Sequence, residues 1–478
     1  MAEASSLAAA FPAASAADWR ALVAKTLGEK PFESLTGKTV DGLPIAPLYT
    51  ADETPATPAV AQRPYDVERP WDLRIAVAHP DAQAANAQIL KDLEGGAASV
   101  ILHVDPTGQN GTAIGSTEDM ARALDKVLLE LAPVALDAGF LGPKAAEWLH
   151  GVAKASPAAR LQFHLDPLSA FAESGASPGP IDAHVQAAAQ VGARMAETYP
   201  QAQLFLASGR VVHEAGGGEV GELAFAAAAA VAYAKALVAA GLSMEEAFAR
   251  ITLGLSADVD YFLTIAKLRA ARAVWARIVG ACGVSVAARV EARSSRRMLA
   301  RKDAWTNMLR LTSAGFGAAV GGADAVQLGT FTDALGAPTA FARRQSRNTQ
   351  LVLMEEAHIG RVADPAAGAG YVEALTDELA RAAWVAFQAI EARGGLAAAL
   401  AAGDIAAEVA RAVAARDAAG KPKIVGVTAF PPAAEDPIEV DTPVRKAVAA
   451  PSPALPGADG ACPALAPVRL AATYEAAQ

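Results

Sequence analysis

From about residue 97 to 395, short apolar or β-branched runs alternate with alanine-rich stretches of helical length. The runs that read as strands are 98–105, 133–139, 160–167, 203–209, 250–257, 284–293, 323–331 and 360–365. Eight such runs, each followed by a helix-length segment, predict an α/β fold, a closed (βα)₈ TIM barrel, with an open doubly wound sheet as the alternative. In 258-DVDYFLTIAKLRAARAVWARIVGACG-283, Phe262, Ile265, Leu268, Ala271 and Trp275 recur at spacings of three and four. That is one face of a helix, which Asp258 can cap and Gly283 can end. The most apolar run, 223-LAFAAAAAVAYA-234, lies between Glu222 and Lys235; twelve residues are too few to cross a bilayer, so a buried helix is expected.

The flanks follow other patterns. Before about residue 70 there is a short amphipathic stretch, 19-WRALVAKTL-27, and then 31-PFESLTGKTVDGLPIAPLYTADETP-55. The second piece has the proline, glycine and threonine spacing of an extended arm that cannot form its own core. Beyond about 420, ten of the 29 prolines fall at or after Pro422, which reads as a Pro/Ala-rich linker or surface-hugging tail. The expected organisation is an arm over 1–70 that wraps a partner, a barrel over 71–420 and a tail over 421–478.

Composition narrows the function classes. Lys+Arg 41 against Asp+Glu 51 gives a net charge of −10, which argues against nucleic acid as the main partner. The N-terminus lacks a positively charged region before Arg20, so neither a secretory signal nor a transit peptide fits. Cys282 and Cys462 are far apart and form no C-x-x-C pair. With no membrane span and no disulfide framework expected, a cytoplasmic protein is the reading.

Chemistry in such a barrel sits at the C-terminal ends of the strands. The segment 208-SGRVVHEAGG-217, leaving the fourth predicted strand, is therefore the first candidate: His213 could be a general acid with Glu214 orienting it. The competing reading is that Arg210, His213 and Glu214 satisfy one another and the loop backbone. After the sixth predicted strand, Arg293, Ser294, Arg296 and Arg297, followed by Arg301 and Lys302, could grip an anion, a phosphate-bearing ligand such as a coenzyme or nucleotide, or could be a solvated loop or interface. Asp182 and His184 have the spacing of a metal or cobalamin ligand pair, but no second cluster accompanies them, and a solvated helix face is the expectation. No metal site is expected. G-x-G-x-x-G after a strand, Walker A and H-E-x-x-H sequences are all absent, which removes nucleotide-cofactor, zinc-protease and metallochaperone readings.

Several stretches together resemble the methylmalonyl-CoA mutase family: 31-PFESLTGKTVDGLPIAPLYT-50, 69-RPWDLR-74, 256-SADVDYFLTIAKLRAARAVWARIVGACG-283 and 341-FARRQSRNTQLVLMEEAHIGRVADPAAGAGYVEALTDELARAAW-384. The resemblance runs from about residue 19 to the end. It implies a (βα)₈ barrel that binds a CoA ester along its axis, with adenosylcobalamin held against it by a separate C-terminal domain and a radical interconverting methylmalonyl-CoA and succinyl-CoA.

Against that pattern the chain departs at the site. Catalytic chains of the family read S-G-Y-H where this one reads Ser208-Gly209-Arg210-Val211. Val211 has no proton to give, and Arg210 cannot act as a phenol. His213 stands two residues further on, a displacement of about 6–7 Å along extended backbone, whereas acid/base contacts need roughly 3 Å. The R-T-H-S-Q-T-S-G-W loop is shortened here to Arg293-Ser294 and 295-SRRMLARKD-303, and 103-HVDPTGQNG-111 lacks the tyrosine-bearing P-T-H-R-G-Y segment. The cobalamin signature D-x-H-x-x-G is absent: the string at Asp182 and His184 ends in Ala187. The resemblance therefore implies the small, non-catalytic (beta) subunit, with no cobalamin-binding domain and no cofactor-binding residue of its own. Its partner would be the catalytic large subunit, with acyl-CoA and adenosylcobalamin used by the complex. The alternative is an active acyl-CoA mutase working through Arg210, His213 and Arg293 with a separately supplied cobalamin-binding protein.

Overall fold

The computed structural model describes residues 14–56, 58, 66 and 68–475. Eight parallel strands close a barrel: β1 Asp72–Val77, β2 Ser99–His103, β3 Val134–Asp137, β4 Leu161–Leu165, β5 Gln203–Ser208, β6 Ile251–Ala257, β7 Val290–Ser294 and β8 Ala325–Gln327. They are hydrogen-bonded in chain order, and β8 returns to β1 through pairs such as Val326 with Leu73. Their outward residues, such as Val100, Val134 and Leu204, pack under the surrounding helices as one core.

The closing strand differs from expectation. Residues 360–365 are not a strand, because Pro365 blocks a ladder there and Asp364 is taken by Arg269, 3.0 Å away. The place is filled by Asp72–Val77. The strands expected as fourth and sixth are thus β5 and β7, and 284–289 is irregular chain leading into β7. The long helix runs Tyr261–Ala281 with Asp260, not Asp258, as its cap: Asp260 Oδ1 accepts the amide of Leu263 at 3.1 Å. Asp258 is drawn inward to Arg297 instead. The apolar run after Glu222 lies within a 21-residue helix, Glu219–Ala239, packed between the sheet and the helix Gly370–Ala392. By length and composition this helix could cross a membrane, but most of it is buried inside the fold.

The arm docks partly on its own barrel. Tyr49 stacks near Tyr371, with ring centroids 5.6 Å apart, and Asp41 Oδ2 accepts the amides of Glu219 at 3.0 Å and Val220 at 3.3 Å. Part of the surface expected from a partner is therefore supplied by this chain. The tail skirts the C-terminal rim of the barrel, meeting successive βα loops. Backbone amides of Val448, Leu455, Leu465, Val468 and Leu470 donate to carbonyls of Pro106, Pro178, Ala172, Glu214 and Arg297. Gly460–Ala461 adds a short antiparallel pairing to Ala176–Ser177.

Candidate functional site

The barrel interior is charged. Near its lower part Arg74, on β1, is 1% exposed and donates to Ser99 Oγ at 2.8 Å, Gln162 Oε1 at 2.9 Å and Asp72 Oδ2 at 2.7 Å, and it also pairs with Glu291. Inward positions of β7 alternate, so Glu291 and Arg293 face the same axis. Arg293 Nε donates to Glu291 Oε1 at 2.6 Å, and its Nη1 to Asp137 Oδ2 at 2.9 Å. Burial pushes the Glu291 carboxyl up, but Arg293, His164 and Arg74 outweigh it and hold the group far below its usual range. His164, in a left-handed conformation at φ 45° where β4 shifts register, reaches Gln162 Oε1 at 3.1 Å; burial lowers its pKa to about 4. Ion pairs thus occupy the axial space of the barrel.

His103 and Asp137 close the C-terminal ends of β2 and β3. His103 Nδ1 stands 3.5 Å from Asp137 Oδ2, and the two side chains are 29% and 42% exposed. Burial lowers the His103 pKa, with Asp137 opposing. Asp166, just past β4, caps the helix Pro167–Ser174 and accepts from Tyr233 Oη at 2.5 Å; burial raises its pKa to about 7.

The segment singled out in the sequence leaves β5 as expected and forms a short helix, Arg210–Glu214. Gly209 is required by close approach, because a Cβ there would lie 2.0 Å from the Glu222 carbonyl oxygen. Val211 is buried in the core. His213 is fully buried, with Nε2 3.1 Å from Ser295 Oγ and 3.1 Å from Asp258 Oδ2, and Nδ1 3.3 Å from Glu222 Oε2. Burial, Arg297 and Lys267 push its pKa down, while Glu222 and Asp258 outweigh them, so the net shift is upward. A histidine held this way is a buried structural post rather than a group poised at solvent. Glu214 accepts the amide of Arg296 at 3.1 Å.

The arginine cluster is dispersed. Arg293 points down the axis, Arg296 is exposed, and Arg301 Nε donates to the Ala334 carbonyl. Arg297 spans His213 O at 3.1 Å, Gly217 O at 2.8 Å and Asp258 Oδ2 at 2.8 Å. Ser294 Oγ accepts the amide of Gly329. Asp182 is exposed, whereas His184 is buried, its Nε2 3.1 Å from Pro178 O and its ring against Phe140. Among the described residues no group of three or more His, Cys, Asp or Glu side chains could hold a metal ion. The residues that organise this region, Arg74, Asp137, Glu222, Lys267 and Glu291, were not anticipated; the signal was a charge at an inward position of an otherwise apolar strand or helix.

The profile described as methylmalonyl-CoA mutase matches residues 39–451. The chain belongs to the methylmalonyl-CoA mutase family. It is 40% identical over 460 residues to the methylmalonyl-CoA mutase small subunit of Streptomyces virginiae, covering 91% of this chain and 73% of that protein. It is 38% identical to the small subunit of Propionibacterium freudenreichii subsp. shermanii, covering 82% and 64%. It is also 31% identical to the methylmalonyl-CoA mutase of Cereibacter sphaeroides, covering 88% and 65%. The chain thus spans between 64% and 73% of the length of these three relatives.

Proposed function

We propose that this chain is the non-catalytic small subunit of a heterodimeric, adenosylcobalamin-dependent methylmalonyl-CoA mutase. It supports a catalytic large subunit that interconverts methylmalonyl-CoA and succinyl-CoA. The observation that carries this reading is the replacement of tyrosine and histidine by Arg210 and Val211, with the imidazole nearest in sequence, His213, fully buried and tied to Asp258, Glu222 and Ser295. The ion pairs of Arg74, Glu291 and Arg293 along the axis, where the family resemblance puts the CoA ester, support it further.

Adenosylcobalamin does not fit the residues present. The imidazole nearest to a cobalt-ligand motif, His184, is buried with Nε2 engaged by a carbonyl, and the tail occupies the rim against which the cofactor would rest. Cofactor and acyl-CoA accordingly belong to the large subunit. The arm offers that partner an apolar outer surface at Leu22, Leu35 and Leu48, all exposed. Two unpaired cysteines, one of them exposed, accord with a cytoplasmic setting.

Co-expression with a catalytic mutase chain tests the reading. The two chains are expected to co-purify in equal amounts, and this chain alone, given adenosylcobalamin and methylmalonyl-CoA, is expected to yield no succinyl-CoA. Turnover by the isolated chain, or turnover that appears on adding a separate cobalamin-binding protein, establishes the active-mutase alternative instead.

A further inference from the structure

We infer that the cavity between the arm and the helix Gly370–Ala392 is a binding site for one small organic cation, an ammonium or guanidinium group on a short apolar stem. The site concerns the arm rather than the barrel axis, and it stands whether or not the chain is a non-catalytic subunit.

The cavity has a volume of about 310 Å³ and is lined by Trp19, Phe32 and Tyr49 from the arm and by Ala374, Asp377 and Glu378 from the helix. That volume suits a small ligand. Local structure fixes the walls. Ser15 caps the helix Ala16–Leu27 by accepting the amide of Asp18 at 3.1 Å, which sets Trp19 on its first turn, and Phe32 meets Trp19 edge to face with ring centroids 5.9 Å apart. Tyr49 is held by the ring of Tyr371 and by the amide of Ala46, which donates to its Oη at 3.0 Å. Aromatic rings gathered at one cavity attract a cation through the negative potential of their faces, and carboxylates beside them add to the attraction.

Charge selects the same class. Glu53, Asp377 and Glu378 line the cavity together with a single cation, Arg20. Two of these carboxylates are engaged: Glu53 takes Arg20 at 3.3 Å and the Thr50 hydroxyl at 3.0 Å, and Asp377 takes Arg381 at 2.9 Å. Glu378 has neither a cation within 4.0 Å nor a hydrogen-bond donor among the described residues. Burial and then Asp377 raise its pKa, with Arg381 opposing, and a cation in the cavity offsets both. One uncompensated carboxylate calls for a monocation and repels an anion. The competing occupant is Arg20, whose side chain is 61% exposed in a surface pair with Glu53. Were it to turn to Glu378, Glu53 would keep only a hydroxyl, so that move shifts the deficit instead of removing it.

The full chain titrated with butylammonium and butylguanidinium at constant ionic strength, by calorimetry, tests the site. Saturable binding is expected, weaker by on the order of tenfold for butanol and for butyrate. Glu378→Gln, which keeps the shape and loses the charge, should weaken cation binding by about tenfold, and Trp19→Leu by about threefold. Glu94→Gln, a surface carboxylate beside Lys91, should bind as wild type, and Arg20→Gln should retain or tighten binding. A wild-type chain that fails to saturate overturns the proposal, also where Arg20→Gln saturates, since Arg20 would then fill the cavity. Full retention of binding by Glu378→Gln overturns it too, and butanol binding as tightly as the cations overturns the ligand class. The complex with a catalytic mutase chain separates the two sources of such a cation. Loss of probe binding in that complex, with a lower yield of the complex from Glu378→Gln, assigns the site to a basic side chain of the partner; retained probe binding assigns it to a free amine.

Discussion

Lys267 donates from Nζ to Glu222 Oε2 at 2.5 Å, with both side chains shut away from solvent. The pair joins the long helix Tyr261–Ala281 to the helix Glu219–Ala239, and Glu222 Oε1 also accepts the amide of Ser256 at 2.5 Å at the end of β6. Removing one partner strands a buried charge, whereas neutralising both does not. Lys267→Met is expected to destabilise the fold by about 3–5 kcal/mol, and Lys267→Met with Glu222→Gln, which keeps an acceptor for the Ser256 amide, to recover part of that loss. Urea unfolding measures both. A single substitution costing less than about 1 kcal/mol would show that the pair is not a structural post.

A second prediction concerns pH and the arm. Asp41 caps the same helix from outside the barrel, and its pKa is raised from 3.8 to about 6, first by burial and then by Glu219 and Glu408, against the amides of Val220 and Glu219. A carboxyl that is harder to ionise when folded makes the native state hold its proton more tightly, so stability falls as pH rises from about 4 through about 6. Asp41→Asn keeps an acceptor for the two amides and removes the charge. The variant should exceed wild type in stability by about 1–3 kcal/mol at pH 7.5, with the gap closing by about pH 4. Denaturant midpoints at the two pH values decide it; an equal gap at both would show that Asp41 does not titrate in this range.

The barrel was legible because parallel strands covered on both faces read as continuous apolar runs, as in Ser99–His103 and Gln203–Ser208. The first strand was not, since Asp72 and Arg74 break its run while serving the inside of the barrel. The same feature hid the network at the site. A charge in a strand counts as an interruption in a hydrophobic pattern, and only the closed sheet shows that Arg74, Gln162 and Glu291 meet. His213 was found by its position after a strand, but its burial depends on Asp258 and Glu222, which lie in other elements. Asp258 itself looked like a helix cap because it precedes the helix by one turn; Asp260 is better placed, two residues closer to the apolar face.

The tail yields a third prediction. Leu465 is buried in the main core, and its amide donates to the Ala172 carbonyl at 2.8 Å, three residues after Cys462 donates to Gly175 at 2.9 Å. Gly175 has φ 76° at the end of the helix Pro167–Ser174, where a Cβ would lie 2.9 Å from the Ala464 Cβ, so the loop after β4 and the tail fit each other closely. Further along, Val468 and Leu470 bond to the carbonyls of Glu214 and Arg297, the loops that flank His213. Leu465 is thus the main apolar anchor of a strap held elsewhere by backbone hydrogen bonds, worth about 0.5–1.5 kcal/mol each, by the short pairing at Gly460–Ala461, and further on by Ala471 packed against Ala300 and Val427. Leu465→Ala removes about 2–5 kcal/mol of packing, which falls first on local opening of the strap because the barrel closes without it. Amide exchange at Cys462, Leu465, Val468 and Leu470 should accelerate together by at least on the order of tenfold while exchange in β5 and β6 stays slow. If only Leu465 itself accelerates, the strap is held point by point and does not open as a unit; if β5 and β6 accelerate equally, the tail is part of the cooperative core of the barrel.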